Sequence, residues 1–186
     1  MNIPKRFANG PLTGPLRRYL ENNRGATAVE FALVAAPFFF MLFGLIEVMM
    51  IFLLSATLEN GVSEAARQIR TGQVQDAGAD AGAFRTLVCG NLFDLMDCDA
   101  RLRVDVRVFD DFASTEDDSP IDGDGNVDEG QFIFDPGEAG EIVLVRVYYE
   151  WTVITPILGA PLANMNGNRR LLQAASAFRN EPFGDA

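Results

Sequence analysis

Four residues in the middle of the chain have side-chain oxygens at the alternating spacing that a calcium ion requires. They are Asp122, Asp124, Asn126 and Asp128. Alternate oxygen ligands separated by turn-forming glycines suit Ca²⁺, which binds carboxylate and amide oxygens. One interpretation of this segment is therefore a calcium-binding loop, and calcium is the only cofactor that the sequence suggests.

The same residues also fit a solvated acidic loop without a metal. Counted from Asp122, the sixth position of an EF-hand loop holds Val127 instead of Gly, and the twelfth holds Ile133 instead of the bidentate Glu. Eleven acids lie between Asp110 and Glu138, and no Lys or Arg occurs from Val108 to Val145. A run of like charges is typical of an exposed loop. Both interpretations stay open.

Histidine is absent from all 186 residues. This excludes Ser-His-Asp and Cys-His nucleophilic sites and every His-ligated metal site. We therefore expect a protein that is not an enzyme. A membrane-tethered hydrolase that uses a carboxylate pair from the acidic stretch is a distant alternative.

A long apolar segment follows a basic leader. Residues 31–46 carry no charge, and a transmembrane helix takes about 20 mostly apolar residues. With Glu47 near a membrane face or neutralised, the span extends to Leu54. We predict a transmembrane helix over residues 26–54 and a helical extension over residues 55–72. In this extension Leu58, Val62, Ala65, Ala66 and Ile69 form one apolar stripe.

The charge is distributed unevenly about the apolar segment. Residues 1–25 have a net charge of +4, and the remainder has −15, which together give −11. Basic residues before a span favour a cytoplasmic N-terminus. The sequence thus predicts a single-pass protein with its C-terminal domain outside the cytoplasm. The acidity of that domain argues against nucleic acid as a partner.

The junction between leader and helix carries a specific pattern: Gly25, four residues, then Glu30 followed by Phe31. This pattern resembles the processing site of type IV pilin-like proteins. With residues 25–37 (GATAVEFALVAAP), Glu47, residues 65–72 (AARQIRTG) and residues 178–183 (FRNEPF), the chain looks like the TadE-like minor pseudopilins of the Flp/Tad (type IVb) pilus system.

The resemblance implies a function and a set of partners. Residues 1–25 would be a cytoplasmic leader that a prepilin peptidase removes after Gly25, so that the mature chain begins at Ala26. Glu30 and Phe31 would belong to the recognition motif. The protein would take part in pilus assembly, and through the pilus in surface attachment and biofilm formation. Its partners would be the peptidase, the bacterial inner membrane, and other pilins and pseudopilins of the Tad machine, including the pilus itself.

The remaining residues, 73–186, predict an extracytoplasmic α+β domain. Residues 73–82 are small and polar and indicate a linker, and residues 83–98 indicate a helix that Gly90 and Asn91 interrupt. Residues 101–109 alternate, which predicts a strand with Val104 and Val106 on the buried face and Asp105 on the solvent face. Residues 141–155 and 171–178 predict further strands. The fold expected is a long helix that continues into a small domain with a short helical segment and an antiparallel sheet of about three or four strands, with an acidic loop over residues 110–140.

Two cysteines, Cys89 and Cys98, are candidates for a disulfide. In one unbroken helix, nine residues would separate their Cα atoms by roughly 13 Å, whereas a disulfide needs about 4.4–6.8 Å. If the helix ends at Gly90, the two can meet. Cysteines outside the cytoplasm usually pair, so a disulfide is favoured over two buried thiols.

In one alternative the apolar helix still anchors the protein in the membrane, but the leader is not removed. In that case residues 1–25 stay on the mature chain, and the protein is an uncleaved, membrane-anchored structural or adhesive protein of the cell envelope.

Overall fold

The computed structural model describes residues 25–93, 96–114, 119–155 and 158–184. Of the predicted leader, residues 1–25, all but Gly25 lie outside the described residues. The elements in chain order are α1 (Ala26–Arg70), α2 (Gln73–Asp76), α3 (Ala81–Gly90), α4 (Cys98–Arg101), β1 (Leu102–Phe109), a 3-10 helix (Glu129–Gln131), β2 (Ile142–Thr152), α5 (Gly159–Leu162) and β3 (Arg169–Arg179).

The chain divides into two compact units, residues 1–42 and residues 43–186. The described part of the first unit consists of Gly25 and the first turns of α1, whose large apolar side chains are mostly exposed. The second unit contains the hydrophobic core and all the other elements.

Helix α1 is 45 residues long, and its most apolar stretch has a mean hydropathy of 2.4. In the described part of the chain it is the one helix that is long and apolar enough to cross a membrane, judged by length and composition. Pro37 lies within it. The helix ends before Gly72, which has a φ of +82°, a left-handed conformation that glycine adopts without strain. A single membrane anchor is the arrangement that this helix suggests.

The C-terminal part of α1 supplies one side of the core. The apolar stripe predicted from the sequence is almost completely buried, and Leu54 extends it toward the N-terminus. Leu58, Ala65 and Ile69 have no exposed surface. Their spacing of seven and four residues, two turns and one turn, places them on one helical face, which packs in the same cluster as α3 and the sheet.

The sheet has three antiparallel strands in the order β1-β2-β3. Val104 pairs with Val147, which pairs with Ala174, and these residues belong to the face that packs into the core. The α+β class, the long N-terminal helix and the small antiparallel sheet predicted from the sequence are therefore confirmed.

Two local predictions differ from the structure. Residues 73–82 are not only a linker, because they contain α2 and the start of α3, where the Asp80 side chain accepts a hydrogen bond from the Ala83 N–H at 2.8 Å. This is an N-cap, which satisfies a backbone donor that the helix itself cannot pair.

The second difference concerns Asp105, which the alternation placed on the solvent face of β1. That prediction is wrong, because Asp105 is only 1% exposed. The end of the acidic segment runs along the outer edge of β1: the Val106 N–H donates to the Ile133 carbonyl at 2.7 Å, and the Asp135 N–H donates to the Val106 carbonyl at 2.9 Å. The acidic segment is therefore not solvated throughout, and it occupies hydrogen-bonding groups that an edge strand would otherwise expose.

Candidate functional site

The predicted processing segment lies at the very start of α1. The helix begins at Ala26, directly after Gly25. Gly25, Ala26 and Glu30 are exposed, and Phe31 is 71% exposed. Among the described residues, a side chain added at Gly25 would meet no heavy atom within 4 Å. Gly25, Ala26, Glu30 and Phe31 are therefore all accessible from solvent within the described part of the chain.

The second acid of the apolar helix, Glu47, has a different environment. It belongs to the second unit, and it is only 4% exposed. Its Oε1 accepts a hydrogen bond from the Trp151 Nε1–H at 2.8 Å. Its Oε2 accepts from the Thr155 N–H and the Thr155 hydroxyl, both at 3.0 Å, and from the Ile154 N–H at 3.2 Å.

These contacts join helix α1 to the segment that leaves strand β2. Trp151 is the penultimate residue of β2, and Thr155 follows the strand by three residues. The Thr155 hydroxyl also lies 3.5 Å from the Phe43 carbonyl of the helix. Four donors converge on one carboxylate and stabilise its charge, and in the described part of the chain none of these donors is a basic side chain. The arrangement holds the carboxylate in place between α1 and the segment that follows β2.

A second buried carboxylate lies between β1 and β2. Asp105 is paired in register with Arg146, and its Oδ2 accepts from Arg146 Nη2 at 2.7 Å and from Arg146 Nε at 3.0 Å. Its Oδ1 accepts from the Ile133 N–H at 2.9 Å and from Arg107 Nε at 3.0 Å. This cluster connects the sheet to the acidic segment. The sequence carried one signal for it: Arg146 interrupts an apolar run, and a buried arginine needs an acidic partner.

Cys89 and Cys98 are joined by a disulfide, with a Cα–Cα distance of 6.1 Å. Helix α3 ends at Gly90, and Asn91 is its C-cap. Cys98 begins the next helix, α4. Because the helix stops one residue after Cys89, the two sulfur atoms meet as the interrupted-helix hypothesis requires.

The acidic loop uses its oxygens in local turns. Asp122 Oδ1 accepts from the backbone N–H groups of Asp124 and Asn126, at 2.9 and 2.8 Å. Asp128 accepts from the Gly130 N–H and from the Gln131 side chain, and Asn126 Oδ1 accepts from Arg169. Within the described residues, no group of three or more His, Cys, Asp or Glu side chains could hold a metal ion. Calcium binding at this loop stays a prediction from the sequence, and the geometry adds no support for it.

The fold and these sites define a class of protein: a small α+β domain carried on one N-terminal apolar helix, whose first residues are exposed. The comparison with known families then agrees with the resemblance seen in the sequence. A model of the TadE-like protein family matches residues 25–67 of the chain. No curated protein and no solved structure matches.

The family match implies that the protein is involved in the Tad pilus system, in which TadE-like proteins are structural components and are not known as enzymes. The matched residues include the exposed Gly25–Phe31 segment, the buried Glu47 and most of the buried stripe of α1. Other Tad components and the membrane are the partners that the match suggests.

Proposed function

We propose that this protein is a minor pseudopilin of a Flp/Tad pilus machine, processed by a prepilin peptidase between Gly25 and Ala26. The observation that carries the proposal is the TadE-like match over residues 25–67, which starts at the Gly of the predicted cleavage site. In this function the chain is the substrate of the peptidase and then a part of the assembly. The pilus would serve surface attachment and biofilm formation.

The geometry at the start of α1 supports the cleavage. Gly25 is exposed, and no described heavy atom lies within 4 Å of a side chain added there, which would let a peptidase approach the bond that follows it. The +4 charge of residues 1–25 would stay on the cytoplasmic face. Cleavage removes that charge and leaves the apolar helix as the N-terminus of the mature protein.

Glu30 would act after cleavage. An exposed carboxylate within a membrane-embedded helix costs roughly 2.5–3.5 kcal/mol unless a partner neutralises it. The new amino group of Ala26, in the same or an adjacent subunit, would supply the opposite charge. The need for that partner would draw the mature subunit into the assembly.

The disulfide supports a location of the domain outside the cytoplasm. Disulfides persist in oxidising compartments such as the bacterial periplasm and are rare in the cytosol. We therefore place the protein in the bacterial inner membrane, with its N-terminus in the cytoplasm and its α+β domain on the other side.

The decisive experiment identifies the N-terminus of the membrane-extracted protein by mass spectrometry, in cells with and without the prepilin peptidase. We expect a chain that starts at Ala26 only when the peptidase is present. A chain that starts at Met1 in both strains would contradict the proposal and favour an uncleaved anchored protein.

Substitution of the exposed acid tests the assembly step separately. Among chains that are processed at Gly25, we expect Glu30→Ala to incorporate into the pilus machine at least about tenfold less well. The substitution removes the cost of roughly 2.5–3.5 kcal/mol whose relief would favour assembly, and about 1.4 kcal/mol already corresponds to a factor of ten. The measurement is the amount of the protein that crosslinks to pilus components, relative to the membrane pool.

The matched control for this experiment is Glu64→Ala in the same helix. Glu64 is also exposed, and its hydrogen bond from Arg67, at 2.7 Å, lowers the pKa of the carboxyl so that it is charged at neutral pH. An exposed pair of this kind contributes little to stability. Normal incorporation and piliation with Glu30→Ala would refute the role proposed for Glu30.

A further inference from the structure

A groove in the second unit runs beside helix α1, just after Glu47. It has a volume of about 440 Å³, within the range of roughly 300–1,000 Å³ that is typical of small-molecule sites. One wall is the helical face that carries Val48, Ile51 and Phe52, and Leu162 of α5 lies opposite. This part of the groove is apolar.

The groove also contains two opposite charges. Glu59 and Arg170 line it together with Ser55. The described contacts include no ion pair between Glu59 and Arg170. Arg170 donates through Nη1 to the Leu162 carbonyl at 2.8 Å, while its Nε is buried and has no hydrogen-bond partner among the described residues. Along the helix the lining changes from apolar at Val48 to charged at Glu59, over about three turns.

The apolar end of the groove is continuous with an exposed apolar surface. Leu45, Met49 and Phe52 in the same part of α1 are 60%, 63% and 71% exposed. Exposed apolar patches of this kind mark contact with a membrane or a partner. If α1 spans the bilayer over residues 26–54, as its composition predicts, the outer face of the membrane lies near Leu54. Val48, Ile51 and Phe52 then lie at the level of the outer leaflet, and Glu59 lies five residues, or roughly 7.5 Å of helix, beyond that face. The groove then begins at the level of the outer leaflet.

We propose that this groove binds a single phospholipid of the outer leaflet with a zwitterionic, amine-bearing headgroup, of the phosphatidylethanolamine class. An acyl chain lies along Val48, Ile51 and Phe52. The lipid phosphate pairs with the guanidinium group of Arg170, which lines the groove, and the lipid ammonium group pairs with Glu59. The inference rests on the proposed insertion of α1 in the membrane.

Charge complementarity selects this ligand. An apolar helix of a neighbouring subunit would bury both Glu59 and Arg170 without supplying a counter-charge, which is costly. An anionic lipid would satisfy Arg170 but repel Glu59, in a chain whose net charge is already −11. A zwitterionic headgroup satisfies both, because hydrogen bonds between guanidinium and phosphate and between ammonium and carboxylate are the strong, charge-assisted kind.

The test uses the full chain in bilayer discs made of equal parts of phosphatidylethanolamine and phosphatidylglycerol. Native mass spectrometry after mild detergent extraction then identifies the lipid that stays bound. We expect one phosphatidylethanolamine to be retained. Because one charge-assisted hydrogen bond is lost, Arg170→Gln should reduce its retention by about tenfold or more. Ala56→Leu, which adds a larger side chain to the groove wall, should reduce it as well.

Three further variants make the result specific. Arg179→Gln, an exposed arginine at the end of the same strand β3, should leave retention unchanged. Ala32→Leu, exposed in α1, is the matched control for Ala56→Leu. Glu59→Gln changes an exposed side chain and leaves the fold intact, so it should lower the retention of phosphatidylethanolamine and raise that of phosphatidylglycerol.

The inference is overturned if the wild type retains no lipid, if it retains phosphatidylglycerol as well as phosphatidylethanolamine, or if Arg170→Gln and Ala56→Leu retain as much as the wild type. The same spectra report the N-terminus of the chain. A chain that is not cleaved at Gly25 but retains the lipid would contradict the proposed pseudopilin function and leave the lipid site in place.

Discussion

Asp105→Ala is expected to lower the free energy of unfolding of the domain by roughly 3–5 kcal/mol, the range for breaking a buried ion pair from one side. The substitution removes a carboxylate that is 1% exposed and lies against Arg146, which is 3% exposed. It also removes the acceptor of the Ile133 N–H. A buried guanidinium then keeps its charge with much less compensation, and the end of the acidic segment loses one of its contacts with β1.

The measurement is denaturant unfolding of the full chain in detergent, followed by the fluorescence of Trp151, the only tryptophan. Asp76→Ala, an exposed aspartate in α2, is the matched control and should change the unfolding free energy by less than about 0.5 kcal/mol. An Asp105→Ala variant as stable as this control would refute the structural role of the ion pair.

A double substitution tests whether the loss of stability comes from an unpaired buried charge or from the volume of the missing side chain. Asp105→Leu combined with Arg146→Met replaces both charges by apolar side chains, a change that is often neutral or stabilising at buried pairs. We expect the double variant to be more stable than either single variant, so that the effects are strongly non-additive. Additive losses would mean that the two side chains contribute independently.

Glu47→Ala has the second large expected effect, a loss of roughly 3 kcal/mol or more. Four donors converge on this carboxylate, from Trp151, Ile154 and Thr155. Each donor that is left buried without an acceptor costs about 1–3 kcal/mol. The segment after β2 should then separate from helix α1 while the core around Leu58 and Val106 persists.

Trp151 reports this change directly. Its indole N–H is bonded to Glu47, so Glu47→Ala should shift the tryptophan emission of the folded protein, whereas Asp105→Ala should not. Glu47→Gln retains one acceptor oxygen, so its tryptophan emission and its free energy of unfolding should lie between those of the wild type and those of the alanine variant. Glu64→Ala is again the exposed control. Unchanged emission and stability in Glu47→Ala would show that the four hydrogen bonds do not hold this junction.

The sequence by itself determined the elements whose signal is local. Residues 31–46 form an uncharged run, so the long apolar helix follows from composition. The alternation over residues 101–109 and the β-branched run over residues 141–155 predicted β1 and β2, and the pattern around Gly25 and Glu30 indicated the family. Each of these signals depends on residues a few positions apart, which is the range over which helical and strand periods act.

Tertiary structure alone decided which polar groups meet inside the domain. Asp105 and Arg146 are 41 residues apart, and Glu47 and Trp151 are 104 residues apart. Their contacts depend on the register of β1 against β2 and on where β2 ends beside α1, and no local period encodes either. For the same reason the alternation misplaced Asp105 on the solvent face, because the strand pattern cannot show that residues 132–135 return to cover that edge. The groove that holds Glu59 and Arg170 arises in the same way, from a helix and a strand that meet only in the folded domain.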